Sequence, residues 1–360
     1  MRAPRPTRSR VAVAAAALLL SLGAWLSGSS ERGGPAPERP QVHFPTQPRQ
    51  AEWERIAARQ TLPARPPPAG ALPDDAPEPL RDPFLRALPL GEGAPFVVME
   101  ANALRHSRLG ERFIECILSE DPEAFTEIAR ATGIDPLKDV DRLAFAGDAV
   151  VVSGFFDRVR WDAFEAETHA RGVRYGDEAT LWTTDGGASA TASWRGQLLV
   201  TGPLADVQRA IDQVEGRAEP RADLAADLAY GELYGVLPGA AALKLLPAAD
   251  GALASRLAAA AQRIELHVDA MEDVAGVVRV AGAPGQEVED LAKSLGAALS
   301  VARVKAAATD DRRLAALLEH AQVVPGAAGF TVELALPGDA LEAFFSDCGR
   351  PGPPPGAPAR

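Results

Sequence analysis

LVTGPLADV (Leu199–Val207) and ELALPGDAL (Glu333–Leu341) read alike, and their likeness decides the fold. Each is an apolar, strand-forming run that meets a proline, Pro203 or Pro337, and then turns amphipathic. Proline suits the first turn of a helix, where its missing N–H costs nothing. Both stretches therefore predict a strand running into a helix. The two prolines are 134 residues apart, and the apolar runs starting near Val97 and Gly231 share that offset. A repeat at fixed spacing predicts internal duplication.

Working outward, each half reads as strand, helix, hairpin, helix, strand. In the first, Phe96–Met99 is an apolar strand, and Ser107 caps a helix carrying Leu109, Phe113, Ile117 and Leu118. Gly147-Asp148 turns a hairpin between Arg142–Ala146 and Ala149–Phe155. Asp157 opens a helix to Arg171, and a three-strand meander turns at Asp185-Gly186-Gly187 and Arg195-Gly196. In the second, Leu233–Leu237 leads, Ile264–Ala270 and Ala275–Ala281 form the hairpin, and Pro284 opens a long helix with Val288, Leu291, Leu295 and Leu299 on one side. A helix over Arg312–Glu319, a strand over Phe330–Leu336 and a last helix with Leu341, Phe344 and Phe345 complete it. This order predicts an α+β protein of two tandem ferredoxin-like (split βαβ) units, residues 95–220 and 221–348, each an antiparallel sheet with helices on one face.

What precedes the repeats is different in kind. Val11–Leu26 is uncharged and apolar or small throughout, led by Arg2, Arg5, Arg8 and Arg10, with no acid before Glu31. That pattern predicts export, with residues 1–30 a signal peptide or an N-terminal membrane anchor. Ser27 and Ser29 fit a cleavage site, whereas Trp25 fits an interfacial anchor, and the run sits at the lower limit for a span. The protein is thus expected in the periplasm or otherwise outside the cytoplasm, and in the anchor case it is held to the inner membrane by residues 11–26. Residues 31–94 are proline-rich and read as a disordered linker, as do residues 349–360 as a tail. Within the linker, Trp53, Ile56 and Ala57 share one helical side, as a nascent helix or docking peptide would.

The full chain carries −12, and since its first thirty residues hold four arginines and no acid, the remainder carries −16. Without clustered Lys and Arg, nucleic acid is excluded as a partner. Cys116 and Cys348 are the only cysteines, so a bridge is open to them in an oxidising compartment, as is a buried Cys116 with a free Cys348. No zinc-ligand spacing exists.

The best polar constellation is on RIELHVDA, where Glu265, His267 and Asp269 alternate with Ile264, Leu266, Val268 and Ala270. Such a set can ligate a metal or run acid–base chemistry. If the hairpin pairs Leu266 with Val280, His267 faces Arg279, and a solvated charge lattice on the outer sheet face is expected instead. Asp135, Asp139 and Asp141 lack EF-hand spacing and read as a turn. No nucleophile elbow or phosphate loop is present. No catalytic, cofactor or metal residue is therefore assigned, beyond Glu265, His267 and Asp269 as candidate metal ligands.

GIDPLKDVDRLAFAGDAVVVSGFFD (Gly133–Asp157) resembles exported, tethered envelope proteins of unknown function from GC-rich bacteria such as myxobacteria. Those share its Gly-Ile-Asp-Pro turn, its Asp-Val-Asp-Arg step and a strand ending in Gly-x-Phe-Asp. The resemblance covers this stretch and the order of elements around it, and it implies location and fold only. The expectation is a non-catalytic binding or scaffold module facing an envelope protein or polymer. The alternative is a periplasmic hydrolase or metal-dependent enzyme using Glu265, His267 and Asp269.

Overall fold

The computed structural model describes residues 44–63, 80–88, 94–221, 226–240, 251–282, 286–309, 318–326, 328–338 and 345. The expected leader (1–30), the tail (349–360), Cys348 and most of the last two expected helices lie outside these residues. Among the described residues, no helix is long and apolar enough to cross a membrane.

The protein is α+β, built on one antiparallel sheet of twelve strands. In chain order these are β1 (Phe96–Met99), β2 (Val140–Ala146), β3 (Ala149–Gly154), β4 (Val173–Tyr175), β5 (Ala179–Thr184), β6 (Ser189–Trp194), β7 (Leu198–Pro203), β8 (Leu233–Leu237), β9 (Ala261–Asp269), β10 (Val274–Gly282), β11 (Gln322–Gly326) and β12 (Gly329–Leu336). Across the sheet the order is β11-β12-β10-β9-β8-β1-β2-β3-β7-β6-β5-β4. Outward from the centre, β1-β2-β3-β7-β6 on one side matches β8-β9-β10-β12-β11 on the other.

Two expectations need correction here. The halves do not form separate sheets, because β1 pairs β8, with Val98 opposite Tyr234. Nor are they split βαβ units. In such a unit the first two strands run parallel with another between them, whereas β1 and β2 are antiparallel neighbours. The physical reason lies in FVVM and LYGVL. Both are short apolar runs, the mark of strands with neighbours on both edges and cover on both faces. Gly235 permits the close approach: a Cβ there would collide with the Phe96 carbonyl oxygen and lie 3.0 Å from Val97 Cα.

The helices are α1 (Gln50–Ala58), α2 (Pro83–Arg86), α3 (Ala101–Arg105), α4 (Arg108–Glu120), α5 (Ala124–Thr132), α6 (Trp161–Thr168), α7 (Leu204–Val214), α8 (Gly251–Ala260) and α9 (Gln286–Thr309). Ser107 caps α4 as expected, accepting from the Gly110 amide. Asp157 caps nothing, since α6 starts only at Trp161. Val207, Ile211 and Val214 of α7 are buried against the first half of the sheet, together with Phe84, Leu85 and Leu88. On the opposite face of the second half, Val288 and Leu291 of α9 pack on Leu237, Ile264, Val280 and Phe330. Trp161 of α6 stacks on Trp182 of β5 at 4.1 Å, with Phe164 edge-on to both. Cys116, on α4, is disulfide-bonded.

The linker expectation also needs correction. Residues 44–63 and 80–88, set inside the stretch expected to be disordered, are ordered against the sheet. Leu80, Phe84, Leu85, Ala87 and Leu88 are all buried. Asp82 accepts the Phe84 amide at 2.9 Å and Pro83 follows it, a cap and first turn within a proline-rich run. Composition counted the prolines and missed this short apolar cluster.

Gly235→Ala is expected to destabilise the protein by about 1–3 kcal/mol through overpacking at the β1–β8 seam. Chemical denaturation measures it, and an unchanged midpoint would show that the seam yields without cost.

Candidate functional site

Strand register lays one continuous row of side chains across a single face. Leu181, Ala192, Val200, Val151, Ala144, Val98, Tyr234, His267 and Val277 are successive cross-strand partners from β5 to β10. All are buried. The row is small and apolar in the first half and turns polar at Tyr234 and His267, where residues 44–63 lie over the sheet. Polar groups buried at that junction need partners.

Glu100, Glu232 and Asp269 find theirs in ion pairs with sequence-distant residues. Arg59 donates from both terminal nitrogens to the two oxygens of Glu100, at 2.9 and 2.7 Å. Tyr234 Oη donates to the same carboxylate at 3.2 Å. Arg49 reaches Glu232 Oε1 at 3.2 Å and Asp269 Oδ2 at 2.9 Å. Glu52 caps the start of α1 by accepting the Arg49 amide at 2.7 Å, and it also accepts the Gly231 amide at 2.7 Å. Gly231 holds φ +86°, and a Cβ there would lie 2.6 Å from the Val268 carbonyl oxygen, so only glycine presents that amide without strain.

A third pair sits nearer the first half. Arg142 donates to both oxygens of Asp82 at 2.6 and 2.9 Å and to Ser153 Oγ at 3.3 Å. Its guanidinium lies 4.3 Å from the Phe84 ring centroid. Burial works against the Arg142 charge, but the Asp82 carboxylate beside it outweighs burial and holds its pKa well above the ordinary value. Burial, with the Glu100 carboxylate adding to it, pushes the Tyr234 phenol up. Burial likewise raises Glu232, with Asp269 adding to it. Burial would raise Glu52 too, yet hydrogen bonds from Arg49 and Gly231 prevail and lower it.

The candidate metal ligands come out differently from expectation. Glu265, His267 and Asp269 do share a face, but it is not the solvated outer one. His267 is 1% exposed. Its ring stacks on Tyr230 at 3.8 Å and 6°, with Nδ1 3.3 Å from the Tyr230 carbonyl oxygen. Nε2 has no hydrogen-bond partner among the described residues. Burial pushes its pKa down to about 4, so the ring is neutral at pH 7. Asp269 pairs with Arg49, and Glu265 accepts from Arg263 at 2.8 Å. Among the described residues, no three His, Cys, Asp or Glu side chains converge as a metal site requires.

The expected hairpin register is displaced by two residues. Leu266 pairs Val278, so His267 faces Val277, and Arg279 faces Glu265. Arg279 donates to Tyr230 Oη at 3.0 Å and to the Thr46 carbonyl. Asp135 and Asp139 form a local turn, in which Asp139 accepts the Asp135 amide and Asp135 accepts from Lys138. The residues missed from sequence are Arg49, Glu52, Arg59, Glu100 and Glu232. Their only sequence signal was the apolar side shared by Trp53, Ile56 and Ala57. Of those three, Ile56 alone is buried.

No protein-family model matches the chain. No curated protein matches it either. Two solved structures of TP0453, a treponemal protein, are similar to it. Crystal form III is 10% identical, with 75% of this chain and 99% of that one covered and a TM-score of 0.43. Crystal form I is 10% identical, with 74% and 98% covered and a TM-score of 0.40. Likeness of that degree says nothing about function.

Arg142→Met is expected to cost about 3–5 kcal/mol, because it leaves Asp82 charged and buried without its partner. Adding Asp82→Asn should recover part of that loss in a denaturation cycle; a purely additive cycle would refute the pairing. His267 gives a pH signature. Its folded pKa, about 4, is below the ordinary 6.5, so the unfolded chain binds more protons in between. The stability it supports is complete above pH 6.5 and is lost as pH falls toward 4, about 2 kcal/mol of it between pH 7 and 5. Glu232, raised, acts in the opposite sense, so the clean comparison is with His267→Phe. That variant keeps an aromatic ring beside Tyr230 and should flatten the dependence; equal slopes would remove the assignment.

Proposed function

We propose that this protein is a non-catalytic binding or scaffold module presented outside the cytoplasm. The observation that carries the reading is what its best chemical constellation does. Asp269 and Glu265 are engaged by arginines, and His267 is stacked, buried and neutral. General acid–base work needs a group that can reach a substrate proton near its own pKa. Groups engaged in this way serve architecture. The hydrolase or metal-dependent alternative used these same three residues, and it is correspondingly weakened.

The extracytoplasmic part is supported by the arginine-led apolar run at residues 11–26. The expected partner is an envelope protein or polymer. We also read the two halves as an internal duplication. The matching strand orders on either side of the β1–β8 seam and the 134-residue offset of Pro203 and Pro337 support it.

A reporter active only after export, fused behind residue 43, is expected to be active in cells. Retention inside the cytoplasm would end the location reading. Cross-linking followed by pull-down from envelope fractions is expected to recover a partner, and repeated failure would end the binding reading.

A further inference from the structure

We propose that residues 44–62 are a displaceable internal ligand, and that the sheet face beneath them is a docking surface for an arginine-bearing helix of a partner protein. The proposal deepens the binding-module reading and rests on it for the existence of a partner. Three observations carry it.

Donors and acceptors are divided unequally. The acceptors belong to the sheet and are held there without help from the segment. Tyr234 Oη fixes Glu100, the Ala270 amide fixes Glu232 at 2.8 Å, and the Met271 amide fixes Asp269 at 3.1 Å. The guanidinium donors, Arg49 and Arg59, belong to the segment. Their side chains are 33% and 24% exposed, over acids exposed by 1–13%. A preorganised acidic receptor under solvent-accessible arginines has the anatomy of a recognition site.

The segment is held mainly by charge, and its apolar anchorage is small: Ile56 is buried, and Leu62 packs partly buried against the core of the first half. Across residues 44–63 only Pro45, Glu52 and Ile56 are buried, and Trp53 is 44% exposed. Residues 80–88 differ, with five apolar side chains in the core. The first piece is a cover and the second a part of the fold. Elements with few buried apolar contacts open at the lowest cost.

Charge selects the occupant. With the segment lifted, Glu100, Glu232 and Asp269 lose their arginines, and Glu232 and Asp269 are left as neighbouring acids. An anionic or neutral partner leaves that repulsion in place. A helix with two arginines ten residues apart and an acid between them, to meet the Gly231 amide, relieves it. Guanidinium matches carboxylate better than ammonium does, which favours arginine over lysine.

The test uses the full chain carrying Arg49→Ala and Arg59→Ala, and a fluorescent synthetic peptide of residues 44–62 as the probe. Anisotropy is expected to show the peptide binding the double variant at least tenfold more tightly than the natural chain, whose own segment occupies the face. Adding Glu100→Gln and Glu232→Gln should abolish that binding, as should the same two arginine substitutions in the peptide. Trypsin should cleave after Arg55 faster in the double variant. Equal binding to both chains, binding indifferent to the glutamine substitutions, or unchanged cleavage overturns the proposal. Loss of cooperative unfolding in the double variant also overturns it, since the segment would then be core. The assay needs no cellular partner, so its failure is separate from failure of the envelope pull-down.

Discussion

The pairing of β1 with β8 is the constraint on which the rest depends. Four residue pairs, from Phe96 opposite Val236 to Met99 opposite Leu233, join two similar halves edge to edge. Without that seam each half would expose one unpaired strand edge, of β1 or of β8, a template for association. With it, one face runs unbroken from β5 to β10, and anything laid across the centre touches both halves. Glu100 follows β1 and Glu232 precedes β8, and the Glu100 amide donates to the Glu232 carbonyl at 2.8 Å. The two acids that receive Arg59 and Arg49 are therefore placed by the seam itself.

Two kinds of force then order the segments before residue 94. Residues 80–88 are held by apolar burial, with the Asp82–Arg142 pair enclosed among those side chains. Burying that pair carries a desolvation cost, offset by bidentate geometry and by Ser153. Residues 44–63 are held by partly exposed arginines over buried acids, an arrangement sensitive to salt and to competing cations. Proximity along the chain does not make these two pieces alike.

Much of the fold was legible in the sequence and much of the site was not, for one physical reason. Periodicity reports which side chains share a face. It located β1, β8, the hairpin at Gly147-Asp148 and the amphipathic helix behind Pro203. It also grouped Glu265, His267 and Asp269 correctly. Alternation does not report what covers a face, and the cover here comes from 183 residues away in the case of Arg49 and Glu232. A polar face was read as solvated when it is buried under another charged segment. The three-residue strand Val173–Tyr175 and the proline-bearing edge strand Gln322–Gly326 were too short or too irregular to register. The register of β9 on β10 was displaced by two residues because alternation fixes which face a side chain takes and leaves open which partner it meets across the hairpin. The joined sheet needed both apolar strands, FVVM and LYGVL, to be seen as neighbours, which no local pattern states.

The aromatic cluster of the first half has an optical consequence. The five tryptophans are Trp25, Trp53, Trp161, Trp182 and Trp194, so none follows residue 194. The second half of the sheet is dark to indole emission. The stacked indoles of Trp161 and Trp182 report on the first half, while Trp53 sits on the segment that covers the centre. Emission and far-ultraviolet dichroism would follow one melting curve only if the seam makes both halves unfold together. A divergence between them would separate the unfolding of the two halves without any label.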